Sequence, residues 1–197
     1  MSFILGLTGS IGMGKSTTAQ MFRDRGVPVW DADAAVHRLY APGGAAVAPV
    51  AALVPAARAA DGGIDRAPLR AAVAADPGLI DRLNAAVHPL VAADRAAFLA
   101  ATDAPLVVLD IPLLFEAGGA ALCDAVAVVS TRPEVQRARV LARGLSEAEF
   151  RTILSRQMPD ADKRARADYL IDSTSMEAAQ ADVDRILTAI ATRTRHA

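Results

Sequence analysis

Short apolar runs, each closed by glycine or by acidic residues, recur along the chain with amphipathic stretches between them. "FILGLT" (Phe3–Thr8) runs into a glycine-rich turn, which predicts a strand buried on both faces of a parallel sheet. "VPVWDAD" (Val27–Asp33), "PLVVLD" (Pro105–Asp110), "AVAVVS" (Ala125–Ser130) and "YLID" (Tyr169–Asp172) read as four further strands. Lys15–Arg25 carries apolar groups at Ala19, Met21 and Phe22 and stops at Gly26, the pattern of a helix with a C-terminal glycine. Pro133–Arg143, Glu147–Met158 and Met176–Ala191 read as helices too. Strands alternating with helices predict an α/β fold of three layers, with a five-stranded parallel sheet covered on both faces.

Residues 34–101 break that alternation. They are rich in alanine, which favours helix, and carry Pro42, Pro49, Pro55, Pro68, Pro77 and Pro89, which cut helices into pieces. The segment is expected to be a helical insertion between the second and third strands, with "DGGIDR" (Asp61–Arg66) as a turn. No linker divides the chain, so residues 1–197 are expected to form a single domain carrying the insertion.

Composition narrows the function classes. The 197 residues are 53% hydrophobic and 22% charged, a globular balance. Net charge is -1, from 21 basic and 22 acidic residues, which argues against a nucleic-acid binder. The most apolar run, "APLVVLDIPLLF", is too short for a bilayer and contains Asp110. The N-terminus lacks a basic region and reads as a strand, not a signal peptide. Cys123 is the single cysteine, so no internal disulfide can form and a cytoplasmic location is expected. Three histidines and one cysteine make no metal-ligand cluster, and His37 and His196 match no motif.

Gly9-Ser10-Ile11-Gly12-Met13-Gly14-Lys15-Ser16 fits G-x-x-x-x-G-K-[ST] in full, after an apolar strand and before a helix. Glycines let the backbone wrap a phosphate closely, and its N–H groups together with the helix N-terminus present partial positive charge. Lysine occurs only at 15 and 163 in this arginine-rich chain, so Lys15 in the loop stands out. Its ammonium suits the outer phosphates, and the Ser16 hydroxyl suits the magnesium ion that bridges them. The loop from Ser10 to Thr17 is therefore expected to bind ATP or GTP. Asn84 is followed by alanine, so the N-K-x-D motif of GTPases is absent. A small chain with an insertion and a late arginine-rich segment points to a small-molecule kinase.

Other residues carry two readings each. Asp33 is either a base for an attacking hydroxyl or the N-cap of the next helix; Asp31 is its structural neighbour. Asp110 ends a strand and reads as a magnesium carboxylate or a solvated strand end. Pro112–Phe115 are ordinary core or an apolar wall against a ligand, and Glu116 caps or pairs with an arginine. Arg139 and Arg143, four apart on one helix face, suit a clamp on phosphate oxygens, while Arg137 reads as solvated surface.

"GLTGSIGMGKST", "DAD" (Asp31–Asp33), "LNAAVHP" (Leu83–Pro89) and "DIPLLFE" (Asp110–Glu116), in that order, resemble the dephospho-coenzyme A kinase family. Gln136, Arg139 and Arg143, "RQM" (Arg156–Met158), Lys163 and "AD" (Ala167–Asp168) continue the resemblance over essentially the whole chain. The resemblance implies ATP-dependent phosphorylation of the ribose 3′-hydroxyl of dephospho-CoA, the last step of coenzyme A synthesis. It implies Asp33 as base, with Lys15 and Arg143 on the transferring phosphate. Ser10–Thr17 and Arg139 would bind ATP, and Ser16 and Asp110 magnesium, directly or through water. Thr8, Asp33, His88, Leu113 and Phe115 would meet the acceptor, residues 34–101 would form the acceptor insertion, and about 136–158 would form the lid. The implied partners are ATP and dephospho-CoA, with no nucleic acid and no membrane, in a monomer or small homo-oligomer. The family commonly has Asn-x-Gly after the fifth strand, where this chain has Asp172-Ser173-Thr174. Nucleoside or sugar kinases, and a nucleotide-dependent binding module without turnover, are the rival readings.

Overall fold

The structure is a computed structural model and describes residues 2–195; His196 lies outside the described residues. Its elements run β1 (Phe3–Thr8), α1 (Lys15–Asp24), β2 (Val29–Asp31), α2 (Ala32–Tyr40), α3 (Val47–Leu53), α4 (Arg66–Ala75), α5 (Leu79–Ala100), β3 (Leu106–Asp110), β4 (Ala125–Ser130), α6 (Pro133–Ala142), α7 (Glu147–Leu154), α8 (Asp160–Ala165), β5 (Tyr169–Asp172) and α9 (Met176–Arg195). The chain divides into two compact units. One comprises Met1–Trp30 and Asp103–Ala197, the other Asp31–Thr102.

In the first unit the five strands form a parallel sheet in the order β2-β3-β1-β4-β5. Leu7 sits beside Asp110 in the β1–β3 register and beside Ala127 in the β1–β4 register. Adjacent strands therefore end together, and the loops after β1 and β3 emerge side by side at the carboxyl edge, where open α/β sheets bind ligands. Alternation along β4 divides the two faces. Ala125, Ala127 and Val129 face a core filled by Phe22 of α1 and by Val183, Ile186 and Ile190 of α9. Val126 and Val128 face a second, smaller core with Leu114 and Phe115.

The second unit holds α2 to α5 around Leu39, Val50, Leu69, Leu83 and Val87. Leu79, Leu83 and Val87 recur every four residues on α5 and form its buried stripe. Pro42, Pro55 and Pro77 fall between the helices and divide the segment as expected, but the other three do not. Pro49 and Pro68 sit in the first turns of α3 and α4, where a helix needs no donor. Pro89 lies inside α5, which runs unbroken through His88. Its missing N–H leaves the carbonyl of Ala85, an exposed residue, open to water, and the packed stripe holds the helix together.

Two boundaries also differ from expectation. β2 ends at Asp31, not Asp33, because the Asp31 carboxylate accepts the Ala34 N–H at 2.9 Å and starts α2 there. The helix predicted over Glu147–Met158 ends at Leu154. Pro159 then disfavours helical backbone at the preceding residue and opens a separate helix, α8.

Candidate active site

The loop between β1 and α1 has its shape set by two left-handed glycines, Gly12 at φ 77° and Gly14 at φ 89°. A Cβ at Gly12 would sit 2.6 Å from Val140 Cγ2, so only glycine lets the loop lie against α6. Gly14 is the N-cap of α1 and offers no side chain to cap it. Consequently the N–H groups of Gly14, Lys15, Ser16 and Thr17 bond to nothing among the described residues and leave an open helix start of the kind that suits an anion.

Lys15 Nζ lies 2.5 Å from Asp110 Oδ1. Asp110 is buried at 1% exposure, and the β1–β3 register delivers it to the loop. Ser16 and Thr17 are exposed at the helix start. Thr8 is fully buried and its hydroxyl donates to the Pro112 carbonyl at 3.0 Å, which ties the end of β1 to the loop after β3. In that loop Leu114 is core, Phe115 is half-buried and Leu113 stands out at 44% exposure.

Ser10 is buried and accepts the Met13 N–H through its carbonyl. Arg139 is half-buried in α6 and donates to the Ser173 carbonyl at 2.6 Å and to its hydroxyl at 3.2 Å, beside Gly14. Arg143 forms the C-cap of α6, is exposed, and has no partner among the described residues. Arg137 is exposed and pairs with Glu147 at 2.8 Å. A cavity of about 640 Å³ lies against Met13, bounded by Thr131, Arg132, Gln136, Asp172 and Thr174; that is room for a nucleotide-sized ligand.

In the second unit Asp33 is the exposed second residue of α2, and Asp31 is its cap. The capping role weighed for Asp33 therefore belongs to Asp31, and the Asp33 carboxylate is left facing solvent. His88 is exposed on α5. Sequence reasoning missed three contributors. Ser173, buried in the loop after β5, donates to the Met13 carbonyl at 2.5 Å, and its own N–H donates to Ser130. Gln157 and Gln136 both bind the Ile11 peptide. Glu116 pairs with Lys163 at 2.9 Å instead of with an arginine. Only family-like motifs marked Gln136, Gln157, Glu116 and Lys163, while Ser173 stands where this chain departs from the family's Asn-x-Gly.

A parallel sheet with a G-x-x-x-x-G-K-S loop after its first strand, and a carboxylate beside the loop lysine, defines a P-loop kinase. Comparison with known proteins gives the family. The dephospho-CoA kinase family model matches residues 3–178. A dephospho-CoA kinase of Jannaschia sp. (strain CCS1) is 64% identical over 188 residues, 95% of this chain and 96% of that protein. The crystal structure of TT1252 from Thermus thermophilus is similar with a TM-score of 0.86 and 35% identity, covering 95% of this chain and 97% of that one. Dephospho-CoA kinase from Campylobacter jejuni shares the fold, with a TM-score of 0.67 at 20% identity, covering 96% and 97%. The chain belongs to the dephospho-CoA kinase family, transferases of the final step of coenzyme A synthesis.

Proposed function

We propose that this chain transfers the γ-phosphoryl group of ATP to the ribose 3′-hydroxyl of dephospho-CoA, giving coenzyme A and ADP. The observation that carries the reading is the phosphate loop itself, with open amides at Gly14–Thr17 and the Lys15 ammonium held over it by Asp110. Lys15 and the amides hold the outer phosphates of the donor and stabilise charge as it moves to the leaving oxygen. Arg143, without a partner among the described residues, joins them when the lid, about 136–158, closes between its ends at Gln136 and Gln157 and excludes water. Arg139 binds ATP beside Gly14. Asp33, an exposed carboxylate, orients the 3′-hydroxyl and takes its proton. His88, Leu113 and Phe115 contact the acceptor; an exposed leucine beside a polar site suits a pantetheine arm. Thr8 supports that contact through the Pro112 carbonyl.

Ser16 and Asp110 would hold magnesium, directly or through water. A hydroxyl and a carboxylate suit a hard cation that retains several of its waters. Held there, it would supply positive charge toward the outer phosphates of the donor. The enzyme is assigned to the cytoplasm, in keeping with its single cysteine. No helix among the described residues is long and apolar enough to cross a membrane.

The test is an ADP-release assay on the purified protein with dephospho-CoA, adenosine and a simple sugar as acceptors, the product identified by mass. Dephospho-CoA should be strongly preferred, because the smaller acceptors lack the remote binding energy of the pantetheine arm. Preference for a nucleoside or sugar would overturn the assignment.

A further inference from the structure

The peptide of Ile11, inside the phosphate loop, is held from both sides by glutamines from far along the chain. Its N–H donates to Gln157 Oε1 at 3.1 Å, and its carbonyl accepts from Gln136 Nε2 at 2.7 Å. Gln136 is buried in the first turn of α6, and Gln157 lies half-buried in the turn between α7 and α8. Ile11 therefore commits its N–H to the protein, while those of Gly14 to Thr17 stay open to a ligand. The two glutamines help decide which amides of the loop face a phosphate.

Gln157 is itself held in place. The next residue, Met158, donates its N–H to Glu116 Oε1 at 2.8 Å. The same oxygen lies 2.9 Å from Lys163 Nζ, which is fully buried and makes no hydrogen bond of good geometry. A buried ammonium with one carboxylate partner adds little net stability. What it supplies is a fixed location for the turn that carries Gln157. On the opposite side Gly12 lies directly against Gln136 and Val140, so α6 is pressed to the loop where Gln136 binds it.

We propose that Gln136 and Gln157 are positioning residues that clamp the Ile11 peptide and hold the loop in its phosphate-receiving shape. The proposal rests on the reading of Gly9–Ser16 as the donor-phosphate site. A loop with three glycines among the six residues Gly9–Gly14 would otherwise lose much conformational freedom on binding ATP, and a clamp formed beforehand removes that cost.

Kinetics with Mg·ATP on the full-length Gln157→Met and Gln136→Met variants test it. Each should raise KM for ATP about three- to tenfold, the range of one lost hydrogen bond, with kcat and KM for dephospho-CoA within about twofold. Because both hold the backbone of one residue, the double variant should fall little further than the worse single one. Amide exchange of Ile11 in the nucleotide-free protein should speed up in Gln157→Met and stay slow in Gln157→Glu, which keeps the acceptor. Gln136 is buried; if its variant melts early, the half-buried Gln157 decides alone. An unchanged KM for ATP in a Gln157→Met protein of normal melting temperature overturns the clamp. So does a rise in KM for dephospho-CoA instead, or Ile11 exchange that ignores residue 157. Lys15→Ala is the reference. If it turns over normally, the phosphate-site reading fails; if it is crippled while Gln157→Met is normal, the clamp alone fails.

Discussion

Lys15 and Asp110 stand 95 residues apart in the chain, and their charged atoms lie 2.5 Å apart at the edge of the sheet. The carboxylate is buried at 1%, and this ammonium is an ion-pair partner to it. From the sequence alone Lys15 is an exposed loop residue whose loss the fold should ignore. The structure makes it the partner of a buried acid, with only 14% of its side chain exposed.

Lys15→Ala should therefore do two things. It should lower kcat by about 10² or more, because transition-state charge loses its counter-charge. It should also destabilise the nucleotide-free protein by about 1–3 kcal/mol, because the buried Asp110 carboxylate loses its ion pair with the ammonium. Paired kinetic and urea-melt measurements check both. Intact stability would mean that water replaces the ammonium without cost.

Asp31 and Asp33 should separate cleanly. Asp31→Ala removes the cap of α2 and should cost about 0.5–2 kcal/mol of stability. Asp33→Asn is nearly isosteric at an exposed position and should leave the melting temperature unchanged while lowering kcat by about 10²–10⁴. Steady-state rates beside thermal melts decide. A normal rate in Asp33→Asn would remove the proposed base.

The two arginines of α6 and the one that caps it should rank by what they touch. Arg143 has no partner among the described residues, so Arg143→Ala should lower kcat most with no change in melting temperature. Arg139 supports Ser173, so Arg139→Ala should raise KM for ATP and lower stability slightly. Arg137→Ala removes an exposed pair with Glu147 and should change little. A kcat loss in Arg137→Ala equal to that in Arg143→Ala would mean the wrong helix face had been assigned.

Glu116 sets an acid limit. Burial pushes its carboxyl up, but the Lys163 ammonium and the Met158 N–H outweigh this and hold it below the ordinary value of about 4.5. A carboxyl lowered in the folded state contributes stability that is complete above about pH 4.5 and is lost as pH falls through the folded value. Glu116→Gln should therefore melt below wild type at pH 7, with the gap closing as the pH is taken below that value. A gap independent of pH would show that the carboxylate charge is not what Lys163 requires.

The five strands and the phosphate loop were legible because a doubly covered strand must be a continuous apolar run and a phosphate cradle needs glycines at fixed spacing. Lys15, Ser16 and Asp110 could be found by local chemistry alone. Pro89 misled because local propensity favours a break there, and the buried stripe Leu79–Leu83–Val87 overrides it. β2 was drawn too long because Asp31 and Asp33 are equally good caps on paper, and only the Asp31–Ala34 bond distinguishes them. Gln136 and Gln157 belong to family-like motifs but have no task readable from the sequence, and Ser173 stands where this chain departs from the family's Asn-x-Gly. Their partners are backbone atoms of Ile11 and Met13, and sequence spacing carries no trace of a contact with backbone across half the chain.

Those same contacts bear on how the enzyme comes off the ribosome. The phosphate loop is made early, yet its three side-chain anchors lie 125, 146 and 160 residues downstream, at Gln136, Gln157 and Ser173. Contacts of such long sequence separation form late, since each must close a large loop first. A nascent chain that has exposed β1 and α1 thus holds a complete Gly-Lys-Ser motif that is still slack. Its grip on nucleotide should appear in steps as α6, then the turn before α8, then the residue after β5 emerge. A truncated chain ending before Ser173 should therefore carry the whole motif and still bind ATP poorly.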